Sequence, residues 1–304
     1  MADYSHDEVG EGSIEQATRV LGGPIPWRPF TSPERLDEIG STNAELLLRA
    51  RAGAPEGTVL LADRQSAGRG RLDRRWLDHP GGSVLCSILF RPAWTLDSWL
   101  LAGFVVALSA IEACSEVTGV DCSCKWPNDV IAGREHRKVA GVLAETALPN
   151  SLVVGIGINC NWPDDFPPAG SPDAAEIAAR ATSLDRLAGR SVDRDAVADR
   201  LLEAVSRRWA ALSGVGPVPA GTAPAPAGTA PAPAAAAALR GEYRRRCATI
   251  GQLVRVTLAD EEFTGRALDV DDQGRLLVDV GACIRLVDTG DVVHVRSGGI
   301  AGAD

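Results

Sequence analysis

The feature that most constrains the fold is an uninterrupted apolar run at residues 152–159, which has the sequence LVVGIGIN. An apolar run without polar alternation is typical of a central strand that is covered on both faces. Glycines inside a strand indicate that another group approaches the backbone closely. The run therefore predicts a buried central sheet, with a second group lying over Gly155 and Gly157.

Helix and strand patterns alternate around this run. Apolar residues recur at intervals of three and four in residues 94–117 and 192–212, which predicts two long helices. The other predicted strands of this part are residues 58–65, 83–90, 122–126 and 138–145. Residues 163–182 are predicted to form an irregular loop. From Gly251 onward the pattern changes to a period of two, which predicts five short strands in a small β-barrel of the SH3 kind.

These changes of pattern divide the chain into parts. We expect a tail at residues 1–23, a large α/β domain at 24–213, a flexible insertion at 214–238, a closing helix at 239–249, an SH3-like domain at 250–297 and a tail at 298–304. The insertion contains Ala-Gly-Thr-Ala-Pro-Ala-Pro twice in tandem. Because it has few large apolar side chains, it is expected to stay flexible and to be dispensable for activity.

Charge and cysteine content narrow the class of protein. The net charge of −9 does not favour binding to nucleic acid or to an acidic membrane surface. Seven scattered cysteines form no paired framework, which predicts buried, reduced thiols in a cytoplasmic protein. The acidic N-terminus lacks the features of a signal peptide. The most apolar run, residues 100–111, is shorter than the ~20 residues that span a bilayer, so no membrane span is expected.

A basic loop at residues 68–76, GRGRLDRRW, lies between two predicted strands. Glycines let backbone N–H groups approach a ligand, and guanidinium groups bind phosphate or carboxylate in pairs. A solvated surface loop is the alternative, because charge runs are usually solvated. On an acidic protein, such a loop suggests a small anionic ligand.

Three further motifs accompany the loop: Ser41-Thr42-Asn43 at a predicted helix start, Lys125-Trp126-Pro127-Asn128-Asp129 followed by Arg137-Lys138-Val139-Ala140-Gly141, and the glycine strand with Asn159. Ser-Thr-Asn alone is usually a helix cap. The Gly68-x-Gly70 pair lacks the third glycine of a dinucleotide fingerprint. The Lys-Trp-Pro-Asn-Asp motif is hard to explain as packing.

In order and spacing, these motifs resemble those of the bacterial biotin protein ligases, also called biotin–[acetyl-CoA carboxylase] ligases. The resemblance runs from about residue 28 to residue 296. It implies a mixed α/β catalytic domain, of the biotinyl/lipoyl ligase type shared with class II aminoacyl-tRNA synthetases, followed by the SH3-like barrel. It corresponds to a monofunctional member that lacks the DNA-binding domain.

The resemblance also implies the reaction. The family joins biotin to ATP, releasing pyrophosphate, and then transfers biotin from biotinyl-AMP to a lysine of the carrier domain of an acyl-CoA or pyruvate carboxylase. ATP with Mg²⁺ and biotin are therefore the implied small molecules, and the biotin carboxyl carrier domain is the implied partner. Neither DNA nor a membrane is an expected partner.

Residue roles follow from the matching positions. The implied catalytic residues are Lys138, Arg69 and Arg71. The implied biotin contacts are Ser41, Thr42, Asn43, Gln65, Arg69, Gly70, Arg71, Lys138, Gly141 and Gly157. The implied ATP and adenylate contacts are Arg69, Arg71, Arg74, Trp76, Lys125, Asn128, Asp129, Lys138 and Asn159. Trp76 would cover the adenine when the loop closes, and no motif implies the metal ligands.

One position departs from the family pattern, and three other functions compete. Asp73 replaces the usual third loop glycine, which puts the closed geometry of the loop in doubt. A DNA-binding repressor or biotin-sensing protein would need a basic recognition helix, yet the first 23 residues contain a single Arg. A lipoate–protein ligase shares the fold, but its Arg-Arg-x-Ser-Gly-Gly-Gly pattern is absent. The joint presence of Lys138, Arg69 and Arg71 argues against a scaffold without activity.

Overall fold

The structure is a computed structural model, which describes residues 32–72, 74–147, 151–168, 170–171, 174–214, 230–288 and 290–295. Asp73, the two predicted tails and most of the predicted insertion therefore lie outside the described residues. The described parts form a larger α/β domain, which corresponds to the expected catalytic domain, and a smaller β domain.

The catalytic domain is built on a seven-stranded mixed sheet with the order β1-β2-β3-β7-β6-β5-β4. Its strands are β1 (Glu34–Leu36), β2 (Val59–Ala62), β3 (Ser83–Phe90), β4 (Cys122–Lys125), β5 (Asp129–Ala132), β6 (Arg137–Ala147) and β7 (Ser151–Asn159). The predicted central strand is confirmed, because β7 pairs with β3 and β6 and is buried along its whole length. The edge strand β1, which pairs in parallel with β2, was not predicted.

Helices cover the sheet. They are α1 (Thr42–Arg51), α2 (Leu100–Thr118), α3 (Ala174–Arg180), α4 (Leu184–Ala188), α5 (Arg194–Ser213) and α6 (Pro233–Arg246). The helix α2 packs against β6 and β7 and against both α5 and α6. The prediction of an irregular loop at 163–182 is wrong where α3 forms. Helix α5 begins after Asp193, whose carboxylate accepts hydrogen bonds from the N–H groups of Asp195 and Ala196, as an N-cap residue does.

One apolar stretch, residues 96–118, is by length and composition able to cross a membrane. This corrects the expectation that the most apolar run is too short. However, 67% of the stretch is buried inside the protein. Core helices of soluble proteins share this composition, so the stretch is weak evidence for a membrane span.

The small domain is a five-stranded antiparallel sheet with the order β11-β10-β9-β8-β12. Its strands are β8 (Leu253–Thr257), β9 (Glu262–Val270), β10 (Leu276–Asp279), β11 (Ile284–Val287) and β12 (Asp291–His294). Buried and exposed residues alternate along β8, as the period of two predicts. All seven cysteines are free, and six are buried as expected, but Cys283 is exposed.

Trp126 joins the two domains. Its side chain is 2% exposed, and its indole N–H donates to the carbonyl of Gly274 at 2.9 Å. Gly274 lies in the β9–β10 turn and packs so closely on α2 that a Cβ there would lie 2.7 Å from Leu100. The Trp of the Lys-Trp-Pro-Asn-Asp motif therefore has a packing role, which corrects the view that packing cannot explain this motif.

The closing helix α6 begins at Pro233, before the predicted boundary at residue 239. This start agrees with the alternative that the alanines at 234–238 begin the helix. Pro is favoured in the first helical turn and Ala is the strongest helix former, so residues 233–238 continue the helix. Ala236 is 2% exposed and belongs to the core. The backbone N–H of Ala232 donates to Leu212 at 2.8 Å, which places the start of α6 beside the end of α5.

Replacing residues 215–229 with a short Gly/Ser linker should change the melting temperature little, because their flanking residues are already adjacent and loop-closure entropy depends weakly on length. Deleting 214–238 instead should lower the melting temperature by at least a few degrees, because it removes Ala236 and the first turns of α6. Thermal unfolding of the two deletions, measured side by side, tests the boundary. Equal melting temperatures would contradict it.

A partly buried histidine contributes to the domain junction. The Nε2 atom of His294 lies 3.1 Å from the hydroxyl of Thr249, which accepts a hydrogen bond from the backbone N–H of Trp126 at 3.0 Å. Burial, with the neighbouring charge of Lys125, lowers the pKa of His294 from 6.5 to about 4. The folded protein therefore holds this imidazole neutral where the unfolded chain would protonate it.

We expect the free energy of unfolding to fall as the pH drops from 6.5 to about 4, because only the unfolded chain takes up the proton in this window. The loss from His294 should be on the order of 1–2 kcal/mol, after allowance for partial solvent screening. Urea unfolding at pH 7 and pH 4.5 measures it. His294→Asn should flatten the pH dependence, and an unchanged slope would contradict the assignment.

Candidate active site

The floor of the candidate site is a flat patch of backbone at the centre of the sheet. Gly141 of β6 and Gly157 of β7 are paired, and Gly155 lies two residues along β7. A Cβ atom at Gly157 would overlap the indole ring of Trp76 and lie 2.9 Å from its Nε1. A Cβ atom at Gly155 would overlap the amide of Asn43. The close approach predicted from the glycines is thus made by two side chains.

A polar cluster closes one end of this floor. Its members are Ser41, Thr42 and Asn43 at the start of α1, with Gln65 and Ser87. The side-chain carbonyl of Gln65 accepts hydrogen bonds from the backbone N–H and the hydroxyl of Thr42, at 2.7 and 3.0 Å. Ser41 caps α1, since its hydroxyl accepts from the N–H of Ala44 at 3.4 Å. The motif is both a helix cap and a wall of the site.

The side-chain amide of Asn43 forms its hydrogen bonds with other groups of the protein. Its amide donates to the carbonyl of Leu143 at 3.1 Å and to the carboxylate of Glu145 at 2.9 Å. Its side-chain oxygen lies 2.6 Å from the donating hydroxyl of Ser87. The amide is therefore fixed in one orientation against the glycine floor.

Glu145 is a site residue that the motifs did not indicate. Besides Asn43, its carboxylate binds Arg69 of the basic loop, with Nη1 3.0 Å from Oε1. Its side chain is only 19% exposed. Glu145 thus connects the polar cluster to the loop. In the sequence, Glu145 is indicated only as an acidic residue seven positions after Lys138 on the same predicted strand.

A cationic group lies at the opposite end. The ammonium of Lys138 is 2.7 Å from the carboxylate of Asp129 and 5.3 Å from the ring centre of Trp76. The pairing of β5 with β6 shifts between Val130 and Ile131, so that Val139 is an extra residue on β6. Such a bulge changes the direction in which the flanking side chains point. Lys138 therefore lies over Gly141, although residues three apart on a regular strand face opposite ways.

The basic loop folds back on itself. The N–H of Gly70 donates to the carbonyl of Arg74 at 2.7 Å, and a Cβ atom at Gly70 would lie 3.2 Å from that oxygen. Arg71 donates to the side chain of Asn128 at 3.2 Å, while Arg74 pairs with Asp291 of the small domain at 2.7 Å. The arginines thus point to different partners. Arg69 binds Glu145 beside the floor, Arg71 binds Asn128, and Arg74 ties the loop to the small domain.

The remaining predicted residues surround the cationic end. Asn128 is fixed to β6 through its amide, which donates to Val142 at 2.9 Å. Asn159 is buried and donates to Thr182 at 3.0 Å, and its side-chain oxygen has no partner among the described residues. Burial lowers the pKa of Lys125, against the opposing charge of Asp129. Lys125 and Lys138 are the two lysines of the sequence, and both lie here.

The site therefore combines a flat apolar slot with a polar wall at one end and fixed cations at the other. Such a slot fits a flat ring system that carries an anionic tail, because the ring can lie on the glycines while the tail reaches Lys138. Within the described residues, no three His, Cys, Asp or Glu side chains are grouped so that they could hold a metal ion.

The comparisons agree with this arrangement. Residues 37–162 match the Biotin/lipoate A/B protein ligase family, and residues 249–295 match the Biotin protein ligase C terminal domain. The fold and the site thus define a protein ligase of the biotin and lipoate class. The chain is 35% identical to a biotin–[acetyl-CoA-carboxylase] ligase of Mycobacterium tuberculosis over 287 residues, 91% of this chain and 93% of that protein. The chain belongs to the biotin protein ligases.

Two further relatives support this membership. A bifunctional ligase/repressor of Bacillus subtilis is 30% identical over 256 residues, which cover 84% of this chain and 72% of that protein. The structure of the biotin protein ligase from Aquifex aeolicus in complex with biotin and ATP superposes with a TM-score of 0.68 at 30% identity. That match covers 88% of this chain and all of the Aquifex chain. The predicted family and fold class are therefore confirmed.

Proposed function

We propose that the chain activates biotin with ATP, forming biotinyl-5′-AMP and pyrophosphate, and then transfers biotin to a lysine of a carboxylase carrier domain. The observation that carries this proposal is the glycine-floored slot, with Lys138 held at one end and the Ser41–Asn43 wall at the other. The Mycobacterium relative is a ligase for acetyl-CoA carboxylase, which supports a carrier domain of this kind as the partner.

In the first step, a carboxylate oxygen of biotin attacks the α-phosphorus of ATP, and the bond from that phosphorus to the bridging oxygen breaks to release pyrophosphate. Both reactants are anions, so the negative charge that develops in the transition state needs fixed positive groups. Lys138 would bind the carboxylate and an α-phosphate oxygen, and Arg69 and Arg71 would neutralise the remaining charge. Their present partners are acceptors that a ligand oxygen can replace.

The biotin ring would lie on Gly141 and Gly157, with Ser41, Thr42, Asn43 and Gln65 at its polar end and the backbone of Gly70 near it. Gln65 and Thr42 are already oriented toward each other, so this wall is formed in advance. Because Asn43 is fixed by Glu145 and Ser87, its role would be to hold the shape of the wall.

The nucleotide would lie toward Asn128, Asp129, Lys125 and Asn159, with Arg74 and Trp76 contributing from the loop. Mg²⁺ would enter with ATP and neutralise its phosphates when bound. Since the described residues offer no three-ligand cluster, phosphate oxygens and water would supply most of its ligands.

In the second step, the amine of the carrier lysine attacks the acyl carbon of biotinyl-AMP. An amide bond forms, AMP leaves with the bonding electrons, and the amine releases a proton to solvent. Asn159 lies on the same face of β7 as Gly157, so its side-chain oxygen, which has no partner in the described part of the chain, is suited to orient the amine. Acyl-CoA and pyruvate carboxylases are the proposed sources of the carrier domain.

We further propose that the protein is cytoplasmic and that it binds neither DNA nor membranes. The acidic net charge of −9 supports this, because DNA binding depends largely on basic side chains. A filter-binding assay at low salt tests the proposal. Tight, sequence-specific binding of DNA would contradict it.

The direct test of the function is adenylate formation. The protein should form biotinyl-AMP and pyrophosphate from biotin and ATP-Mg²⁺, and mass spectrometry should detect the adenylate. Lipoate in place of biotin serves as the matched control, because it is a linear dithiolane acid without the ureido ring. Release of pyrophosphate with lipoate but not with biotin would assign the protein to lipoate ligation instead.

A further inference from the structure

A buried hydroxyl lies behind the polar wall of the slot. It belongs to Ser87 of β3, a residue that is 0% exposed. Its oxygen is 2.8 Å from the hydroxyl of Thr42 and 2.6 Å from the side-chain oxygen of Asn43. Thr42 and Asn43 line the slot. Because Ser87 itself is fully covered, it can influence a ligand only through these two neighbours.

The oxygen contacts in this wall outnumber the hydroxyl protons that can fill them. The hydroxyl of Thr42 also lies 3.0 Å from the side-chain oxygen of Gln65. Together with the two contacts of Ser87, this makes three contacts between oxygen atoms. Each hydroxyl carries one proton, so Ser87 and Thr42 can fill only two of them at a time. The direction of each proton therefore decides which oxygens remain free to accept.

The amide of Asn43 determines the direction of the first proton. Its NH₂ group donates to Leu143 and Glu145, so its oxygen faces Ser87 and can only accept. The contact between Ser87 and Asn43 is also the shortest of the three, at 2.6 Å. The proton of Ser87 therefore points to Asn43, which leaves the oxygen of Ser87 as an acceptor. The proton of Thr42 then has two possible acceptors, Gln65 and Ser87.

The direction of the Thr42 proton changes what the wall offers to a ligand. The side-chain oxygen of Gln65 has two lone pairs, and the backbone N–H of Thr42 already occupies one of them at 2.7 Å. When the Thr42 hydroxyl points to Gln65, the second lone pair is occupied as well, and only the oxygen of Thr42 can accept. When the hydroxyl turns to Ser87, the oxygens of both Thr42 and Gln65 can accept. A cyclic urea carries two N–H donors, which matches the second arrangement.

We propose that Ser87 is a positioning residue for biotin recognition, which accepts the Thr42 proton when biotin binds. The wall then offers one acceptor to each of the two ureido N–H groups. The inference rests on the proposed function, because it takes biotin as the ligand of the slot. Without the oxygen of Ser87, the Thr42 proton stays on Gln65, and one ureido N–H is buried without an acceptor, which weakens binding.

The test is equilibrium binding of biotin without ATP, measured by isothermal titration calorimetry. Ser87→Ala should bind biotin roughly tenfold more weakly than the unmodified protein. The matched control is Ser109→Ala, which removes an equally buried hydroxyl from α2. That hydroxyl has no hydrogen-bond partner within the described part of the chain, so the control should leave the affinity unchanged. Equal affinities of Ser87→Ala and the unmodified protein would overturn the inference while leaving the proposed function intact.

A second measurement separates positioning from a general distortion of the wall. It uses the two cyclic carbamate analogues of biotin, in which an oxygen atom replaces one or the other ureido N–H. For at least one analogue, Ser87→Ala should change the affinity less than about twofold, because the N–H that needs the additional acceptor is absent. A roughly tenfold loss with biotin and with both analogues would overturn the inference, since that result shows a purely structural role.

A double variant shows whether Ser87 acts through Thr42. Thr42→Val removes the hydroxyl whose proton Ser87 is proposed to accept, and it should weaken biotin binding by itself. Adding Ser87→Ala to Thr42→Val should then change the affinity less than about twofold, because the two residues act as one unit. A further tenfold loss in the double variant would overturn the inference. Absence of biotin binding to the unmodified protein would instead refute the proposed function, and the inference with it.

Discussion

Lys138→Ala should lower the rate of biotinyl-AMP formation roughly 100- to 1000-fold, because it removes a fixed cation from the developing negative charge, an effect of about 3–4 kcal/mol. The fold should survive the change. The side chain of Lys138 is 30% exposed, and the neighbouring strand residues Val139 and Ala140 supply the buried surface. Pyrophosphate release under single-turnover conditions measures the effect.

Two variants make this test specific. Arg134→Ala removes a positive charge from the exposed turn before β6, and it should leave the rate unchanged. Lys138→Arg keeps the charge but changes its shape, so it should recover only part of the activity. An adenylation rate in Lys138→Ala close to that of the unmodified protein would remove this residue from the mechanism.

Trp126→Ala should lower the free energy of unfolding by about 3–5 kcal/mol, the usual cost of removing a large buried aromatic side chain. The loss has two parts. The indole fills the space between the catalytic sheet and the small domain, and its N–H satisfies the carbonyl of Gly274. Because α2 also packs on this turn, the two domains should separate more readily in the variant. Urea unfolding monitored by circular dichroism measures the loss.

Trp126→Phe is the matched variant, since it keeps most of the packing and removes only the hydrogen bond. It should cost about 1–3 kcal/mol. The same cost for Phe and Ala would show that packing at this position contributes little. An unchanged stability in Trp126→Ala would contradict the role of Trp126 at the domain junction.

Much of the fold was predictable because it depends on local patterns. The uninterrupted apolar run identified β7, and its two glycines correctly indicated a close approach. The change to a period of two located the small domain. Ser41, Thr42 and Asn43 were recognised through helix-start chemistry, and that same chemistry places them against the floor.

The unpredicted features depend on contacts between distant parts of the chain. The bulge at Val139 turns Lys138 toward Gly141. It is created by the pairing of β6 with β5, and no residue pattern in the sequence indicates it. In the sequence, Glu145 cannot be distinguished from other strand residues. Its role depends on contacts with Asn43 and Arg69, which only the fold brings close to it. The packing role of Trp126 was not predicted, because its partner, Gly274, lies 148 positions away. The start of α6 was left open, because its alanines follow directly on a repetitive segment and only their packing places them in the helix.

The placement of both lysines in the candidate active site has a consequence for side reactions. An acyl-adenylate that escapes its enzyme acylates the amines it meets, and the enzyme itself is the nearest protein. Apart from Lys125 and Lys138, this sequence offers no ε-amine, since its other basic side chains are arginine and histidine, which do not form stable amides. Lys138 is held by Asp129 and Lys125 is partly buried. The outer surface of the enzyme therefore offers no further ε-amine to its own intermediate, and lysines on neighbouring proteins are the ε-amines that remain.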